Sequence, residues 1–598
     1  MARTPDDRLA PTGPQQQQAA RLDSWARLLL IGSLVVMFAL VGRVVQLKVD
    51  PDPRLEPAAG GSTSARSELA PRGDVLDRRG RVMATSSVGY RLFVDPQEVD
   101  DLMTIALDLA ELINGDEIEI DMKIAERIDS RYVVIEHLLH DWQVAAVRDA
   151  GLRGVGLEPR LVRHYPNGEL AAALVGKVGF EHTGLSGAEH LYQGVLDPER
   201  GRLEYLRDAR RRTLWIEPEG YSPGRPGESV RLSIDLVIQE IVERELQEVV
   251  EERNAGGGRM VVMDVRTGEI LAMHDIINHR EGWSDPIEDP GREIDPGLAR
   301  NRCIADPYEP GSTFKPFIWA VATELGKAEP DEAIDTPDGM SGPHRTSRGR
   351  RIRDVRYWGP VSWKTVLVRS LNSGMAIVAE RMSHEQMQQA IDAFGFGSPT
   401  GVGLPGETSG LITAPDNWSH YTQTSVCMGH EIGVTPLQMV RAFSAFARDG
   451  TMPPLRMTAW NEHDVPFRFK NRVIGEDIAM IAREAMAAVI NEGTGQRAQS
   501  DRYQLFGKSG TAQLPRREGG GYHDGRYISS FIAGAPFDEP RIVAICVVDD
   551  PDRERGYYGG TIAGPVVRNV IDQALNYLGV PPELESEDDD SPTLVHSP

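Results

Sequence analysis

From Leu28 to Gly42 the chain reads LLLIGSLVVMFALVG, fifteen residues without a charge, and Arg27 and Arg43 can snorkel from its ends so that the apolar span reaches about Leu47. In hydrocarbon every backbone N–H and C=O must be satisfied within the segment, so a span of this length has to be a helix. An uncleaved anchor over residues 25–47 is the reading adopted. The alternative is the core of a cleaved signal peptide, but the small residues of PAAGG (Pro57 to Gly61) lie well past the usual cleavage distance. Charge leaves the orientation open, because Arg21 and Arg27 before the span are matched by Arg43, Lys48 and Arg54 after it. The Gln- and Pro-rich residues 1–24 are expected to be a disordered tail, as is the acidic end, residues 581–598 with ELESEDDDSP.

Between these ends lies material for several domains, since 598 residues exceed what one hydrophobic core organises. The formal net charge of -24 disfavours nucleic acid as a general partner, because phosphate binding needs a basic surface. Two arginine-rich stretches run against that balance, RDARRRT (Arg207 to Thr213) and RTSRGRRIRDVR (Arg345 to Arg356). Both read as solvated loops, and the second could also meet an anionic substrate or a lipid surface. Three scattered cysteines, Cys303, Cys427 and Cys546, indicate neither a disulfide framework nor a zinc site. His137 and His140 of HLLH share a helix face without a partnering Cys or acidic cluster, so no metal is expected.

The Pro/Gly-rich YSPGRPGESV (Tyr221 to Val230) marks the main domain boundary. After it, Ile234 to Arg253 carries apolar residues at Ile238, Val242, Leu246, Val249 and Val250, the period of an amphipathic helix. Met260 to Met273 reads as two strands turned at Thr267 and Gly268. Tyr527 to Pro536 and Arg541 to Asp550 have strand texture, and Gly564 to Gly579 returns to helix. These elements predict an α+β domain whose sheet is assembled from both ends of the region, with a helical insert between.

That insert contains YEPGSTFKPF (Tyr308 to Phe317). After the Pro310–Gly311 break, Ser312 is a favoured helix start, and that reading stands on its own. Ser312 and Lys315 also share a helix face, and a partly desolvated lysine can take the proton that makes a serine nucleophilic. Alone the pattern is weak, since a chain this size yields roughly a couple by chance. Two further signatures follow in order, SLN (Ser370 to Asn372) and KSGT (Lys508 to Thr511). Ser-x-x-Lys, Ser-x-Asn and Lys-Ser/Thr-Gly in one domain are the active-site set of penicillin-recognising serine enzymes.

The chain resembles the class B penicillin-binding proteins, the monofunctional peptidoglycan D,D-transpeptidases. The resemblance runs from RGDVLDRRGRVMA (Arg72 to Ala84) through RHYP (Arg163 to Pro166) and GLSGAE (Gly184 to Glu189). It continues through FGFGSPTGVGLPGE (Phe394 to Glu407), VTPLQ (Val434 to Gln438) and GTGQRA (Gly493 to Ala498) to GGTIAGPVVRNVI (Gly559 to Ile571). It implies a pedestal over residues 48–230, elongated and of the dimerisation type, and a transpeptidase domain over 231–580 with an antiparallel sheet between helical layers. It also implies a cytoplasmic tail, a single pass through the cytoplasmic membrane and a catalytic domain on the far side.

For the site, the resemblance implies Ser312 as nucleophile and Lys315 as base, made less basic by burial and by Lys508. Ser370 relays protons between the lysines and Asn372 orients Lys315 and substrate. The backbone N–H groups of Ser312 and Thr511 hold the oxyanion, and Lys508, Ser509, Gly510 and Thr511 bind substrate. No cofactor is expected. The implied partners are peptidoglycan stem peptides, β-lactams as inhibitors, a SEDS-class lipid II polymerase and other division proteins, because no glycosyltransferase domain is recognised before the pedestal. A compact Thr408 to Gly433 resembles the division (FtsI) type more than the elongation type. Rival readings are a β-lactamase or sensor, a D,D-carboxypeptidase, and a scaffold whose catalysis has lapsed. One departure is Glu431, where the family shows a second glycine ahead of TPLQ; Leu371 also stands where serine is common.

Overall fold

The computed structural model describes residues 14–49, 63–207, 213–280, 289–460, 471–516 and 520–584. The expected acidic disorder beyond Leu584, the first thirteen residues and most of the RDARRRT stretch lie outside the described residues. The chain divides into two compact units, residues 1–70 with 199–225, and residues 71–198 with 226–598. The expected pedestal, 48–230, is therefore shared between them.

In the first unit a helix runs from Pro14 to Val49, and its segment Ser24–Val49 is long and apolar enough to cross a membrane. Its 26 residues span about 39 Å at 1.5 Å per residue, against about 30 Å of hydrocarbon. Residues 14–24, expected as disordered tail, are helical. Pro14 suits a first helical position, and the glutamines and alanines that follow are good helix formers continuing an apolar helix. Strands Thr63–Glu68, Gly201–Arg207 and Thr213–Ser222 form an antiparallel sheet in that order.

In the second unit, strand Val82–Val94 pairs with Val155–His164 over ten positions and with Val133–Glu136. Helices Leu102–Ile113 and Glu117–Ala125 start at Asp101 and Asp116, whose carboxylates accept from backbone N–H groups two or three residues on. Their buried faces close a core with Leu92 and Val94. His140 of the HLLH pair is a helix N-cap, completing a capping box with Gln143. Arg72 and Arg163 both bind Glu189 at 2.7 Å, all three fully buried.

The remainder of this unit is built on one sheet. Helix α1 (Leu236–Glu252), capped by Asp235, buries all five residues that set its period. Strands β1 (Gly257–Asp264) and β2 (Ile270–Ile277) form the expected hairpin, with Gly268 at φ +77° in its turn. The helices that follow include α2 (Lys315–Glu324), α3 (Asn372–Ala379), α4 (Pro436–Ala447) and α5 (Glu476–Asn491). The chain then returns as β3 (Phe506–Pro515), β4 (Tyr522–Ala535), β5 (Ile542–Asp549) and closing helix α6 (Gly559–Tyr577). The sheet order is β2-β1-β5-β4-β3, antiparallel throughout. β1 is buried along its length because both faces are covered. Met260 and Val262 face α1 and α6, while Val261 and Met263 join the cluster of α2, α4 and Phe443. The fold is the expected antiparallel sheet between helical layers, and β3 is left at its edge.

Candidate active site

Ser312 lies in a 3-10 turn, Gly311–Phe314, that runs into α2. The helix start read from the Pro310–Gly311 break is where the structure has it, with Pro310 as the N-cap and Ser312 inside the first turn. Ser312 Oγ has no hydrogen-bond partner among the described residues, while Thr313 Oγ1 donates to Pro310 O at 2.7 Å. Lys315, one turn on, is fully buried.

Lys315 Nζ donates to Ser370 O (2.7 Å) and Asn372 Oδ1 (2.6 Å) and lies 3.3 Å from Ser370 Oγ. Lys508 Nζ reaches the same Ser370 Oγ at 2.9 Å. One hydroxyl thus joins the two amines. Burial lowers the Lys315 pKa to about 8, partly offset by the Asp354 carboxylate. Lys508 is held well below its ordinary value by burial and then by the charge of Lys315. The expected influence of one lysine on the other thus appears at Lys508, and burial is the main cause at Lys315.

The second signature is held by a residue that sequence reasoning missed. Asp354 Oδ1 accepts from the N–H groups of Asn372 (2.5 Å) and Ser373 (3.0 Å), capping α3, and its other oxygen accepts from Ser373 Oγ. Asn372 Nδ2 donates to Arg353 O at 3.1 Å. Ser370 takes φ +61°, while Leu371 is 3% exposed and anchored in the core. A serine at positive φ is strained unless its neighbours hold it there. Leu371 below and Asp354 beyond supply that hold.

The third signature lies on edge strand β3. A Cβ at Gly510 would lie 2.6 Å from Ser530 Oγ and 2.7 Å from Pro310 O, so only glycine lets the strand pass this close to the Ser312 turn. Ser509 Oγ bonds Thr494 Oγ1 at 2.8 Å, and Thr511 Oγ1 accepts from Gly559 N at 3.1 Å. Ser312, Ser370, Asn372, Ser509, Gly510 and Thr511 line one cavity of about 570 Å³. Tyr527, Tyr557 and Tyr558 stack along its wall with ring centroids 4.3 and 4.4 Å apart.

Glu431 adopts φ +56°, a conformation that glycine takes freely and that costs a side chain about 1–2 kcal/mol. Its carboxylate accepts from Thr422 Oγ1 (2.7 Å) and Ser425 Oγ (2.6 Å), and its N–H donates to Glu309 Oε1 (2.9 Å). The departure from glycine is accommodated beside the cavity, whose lining does not include it. Gly429 has no such latitude, since its Cβ would lie 2.0 Å from Gly311 O. All three cysteines are buried and unpaired. Among the described residues no group of three or more His, Cys, Asp or Glu side chains could hold a metal ion.

The model of the penicillin binding protein transpeptidase domain matches residues 258–572, and that of the penicillin-binding protein dimerisation domain matches residues 67–232. Stage V sporulation protein D of Bacillus subtilis is 30% identical over 571 residues, covering 92% of this chain and 85% of its own length. Peptidoglycan D,D-transpeptidase FtsI of Escherichia coli is 29% identical over 594 residues, 97% of each chain. A crystal structure of a peptidoglycan synthetase from Bifidobacterium adolescentis superposes with a TM-score of 0.66 at 25% identity, over 88% of this chain and 98% of its own.

Proposed function

The chain belongs to the class B penicillin-binding proteins and is a serine D,D-transpeptidase of peptidoglycan, and from that premise we propose the roles of its residues, its orientation and its cellular task. The transpeptidase domain is assigned to residues 231–580 and the pedestal to 48–230, a division supported by family matches that end at 232 and begin at 258.

Ser312 Oγ attacks the carbonyl carbon of the penultimate D-alanine of a stem peptide while neutral Lys315 takes its proton. With a pKa of about 8, deprotonating Lys315 at pH 7 costs about 1 kcal/mol, against about 5 at the ordinary lysine value. The backbone N–H groups of Ser312 and Thr511 receive the oxyanion; loss of one such donor costs about a hundred- to thousand-fold in rate. Collapse breaks the C–N bond, and Ser370 passes a proton from the lysines to the departing amine. Asn372 fixes Lys315 and the substrate backbone. Lys508, Ser509, Gly510 and Thr511 form the end of the cleft that takes the terminal carboxylate or that of a β-lactam. An amine of a neighbouring stem peptide then attacks the ester, giving the cross-link. The observation that carries this reading is Ser370 Oγ within 3.3 Å of Lys315 Nζ and 2.9 Å of Lys508 Nζ, on the wall that Ser312 shares.

The Ser24–Val49 helix is assigned as a single-pass anchor in the cytoplasmic membrane with the catalytic domain outside the cytoplasm, a fit supported by its length. The task is septal wall synthesis, supported by the relation to FtsI over 97% of both chains. A SEDS-class lipid II polymerase and division proteins are the corresponding partners. The relation to a sporulation protein of comparable coverage supports a second reading, wall synthesis at another event. The test is fluorescent penicillin on the full chain and its Ser312→Ala variant. Persistent label on the parent alone is expected; no label on a folded parent overturns the reading.

A further inference from the structure

The arginine-rich stretch ahead of the second signature ends inside the cleft. Arg356 and Arg369 both line the 570 Å³ cavity and, among the described residues, no carboxylate does, in a chain where 89 acidic residues outnumber 65 Lys and Arg. The two buried lysines are both weakened as cations. A guanidinium cannot be deprotonated under such conditions, so these two arginines bring permanent positive charge to the cavity lining, which includes neither lysine.

Their settings are complementary. The Arg369 guanidinium lies 4.5 Å over the Trp358 ring, also on the cavity wall, and donates to Glu492 O at 2.6 Å. Ring and carbonyl hold it in place, so little rotamer freedom remains to be lost on binding, and most of its N–H donors are still available. Arg356 is exposed and makes no hydrogen bond or ion pair among the described residues. The segment that Arg369 grips leads two residues on to Thr494, which bonds Ser509 of the third signature. Arg369 is therefore tied to the end of the cleft where the scissile nitrogen and its carboxylate belong, and Arg356 shares the cavity wall with it.

The chemistry of that end is specific. The group that leaves is D-alanine, whose nitrogen carries a carboxylate one carbon away. The acceptor amine must enter where that nitrogen departed, form the N–C bond, lose one proton and release Ser312 Oγ, which regains one. We propose that Arg356 and Arg369, with Trp358 as platform, form a carboxylate subsite for the incoming peptide, selecting an amine that has a free carboxylate beside it. This rests on the acyl-enzyme reading given above. A carboxylate elsewhere on the donor stem has the same chemistry and is the other source.

The experiment uses the full chain in detergent, one aliquot labelled with fluorescent penicillin to show an active Ser312 and a second, unlabelled aliquot supplied with a D-alanyl thioester. In the acceptor arm, D-alanine and D-alaninamide compete with water and the products are measured by mass spectrometry. In the donor arm, the thioester carries or lacks a side-chain carboxylate. A roughly ten- to hundredfold preference for D-alanine is expected in the parent, the worth of one charge-assisted arginine contact. It should fall to about unity in the Arg356→Gln/Arg369→Gln double variant, survive largely in Arg356→Lys, and shrink with added salt. The same pattern in the donor arm alone assigns the carboxylate to the donor stem. A labelled parent with no selectivity in either arm, or with selectivity that the double variant keeps, overturns the subsite alone. An unlabelled parent overturns the acyl-enzyme reading and the subsite with it.

Discussion

Lys315 and Lys508 converge on one hydroxyl; burial disfavours the charged form of both, and the charge of Lys315 further opposes protonation of Lys508. For Lys315 the folded pKa of about 8 lies below the ordinary 10.5, so the unfolded chain binds more protons between those values and folding stability rises with pH across that window. The catalytic consequence has the same sign, because only the neutral amine accepts the Ser312 proton. The rate of acylation by a β-lactam is expected to rise with pH to a plateau above about 8, read by stopped-flow quenching. Asp354→Asn tests the source of the shift. Removing that carboxylate takes away a charge that raises the Lys315 pKa, so the inflection moves to lower pH. The plateau falls about tenfold as Asn372 loses an ionised anchor. A role in folding alone would lower the plateau without moving the inflection.

At the scale of elements, the site is a junction between the Ser312 turn and an edge strand. Among the described residues β3 pairs with β4 alone, which leaves its other edge for a ligand backbone. Gly510 sets the approach. Gly510→Ala must push the strand from Pro310 O and Ser530 Oγ, which costs about 1–3 kcal/mol. The displacement carries the Thr511 N–H away from the oxyanion, and acylation is expected to fall by about a hundredfold or more. Thermal melting and acylation rates on one sample separate the two effects; near-parental acylation would remove the strand from the proposed machinery.

At the scale of the molecule, Glu189 ties Arg72 and Arg163, 117 and 26 residues away in sequence. All three signatures that resemble pedestal motifs meet in this buried triad. Glu189→Ala leaves the buried Arg163 guanidinium without a counter-charge and Arg72 with only Asp197, 3.7 Å away, and is expected to cost about 3–5 kcal/mol, read as a lowered urea midpoint. Penicillin labelling of the fraction that remains folded should persist, because the triad lies among residues 72–189, apart from the cavity lining.

Local periodicity and short motifs were enough to reveal the apolar span, the β1–β2 hairpin, the five buried positions of α1 and the order of the three signatures, because each is set by residues within a turn or a strand of one another. Pro14–Ser24 reads as disordered because its composition is polar, and its helix propensity shows only as an extension of the apolar helix. What the tertiary structure alone decided lies across long separations. Lys508 finds Ser370 across 138 positions, and Asp354 finds Asn372 across 18 with no local pattern to announce it. Arg356 and Arg369 look like solvated charges in the sequence and become the cations of a cavity only when folding brings residues 355–372, 493–511 and 527–561 together. A pKa depends on burial and on neighbours from other elements, so the sequence could name the base while only the fold set its strength.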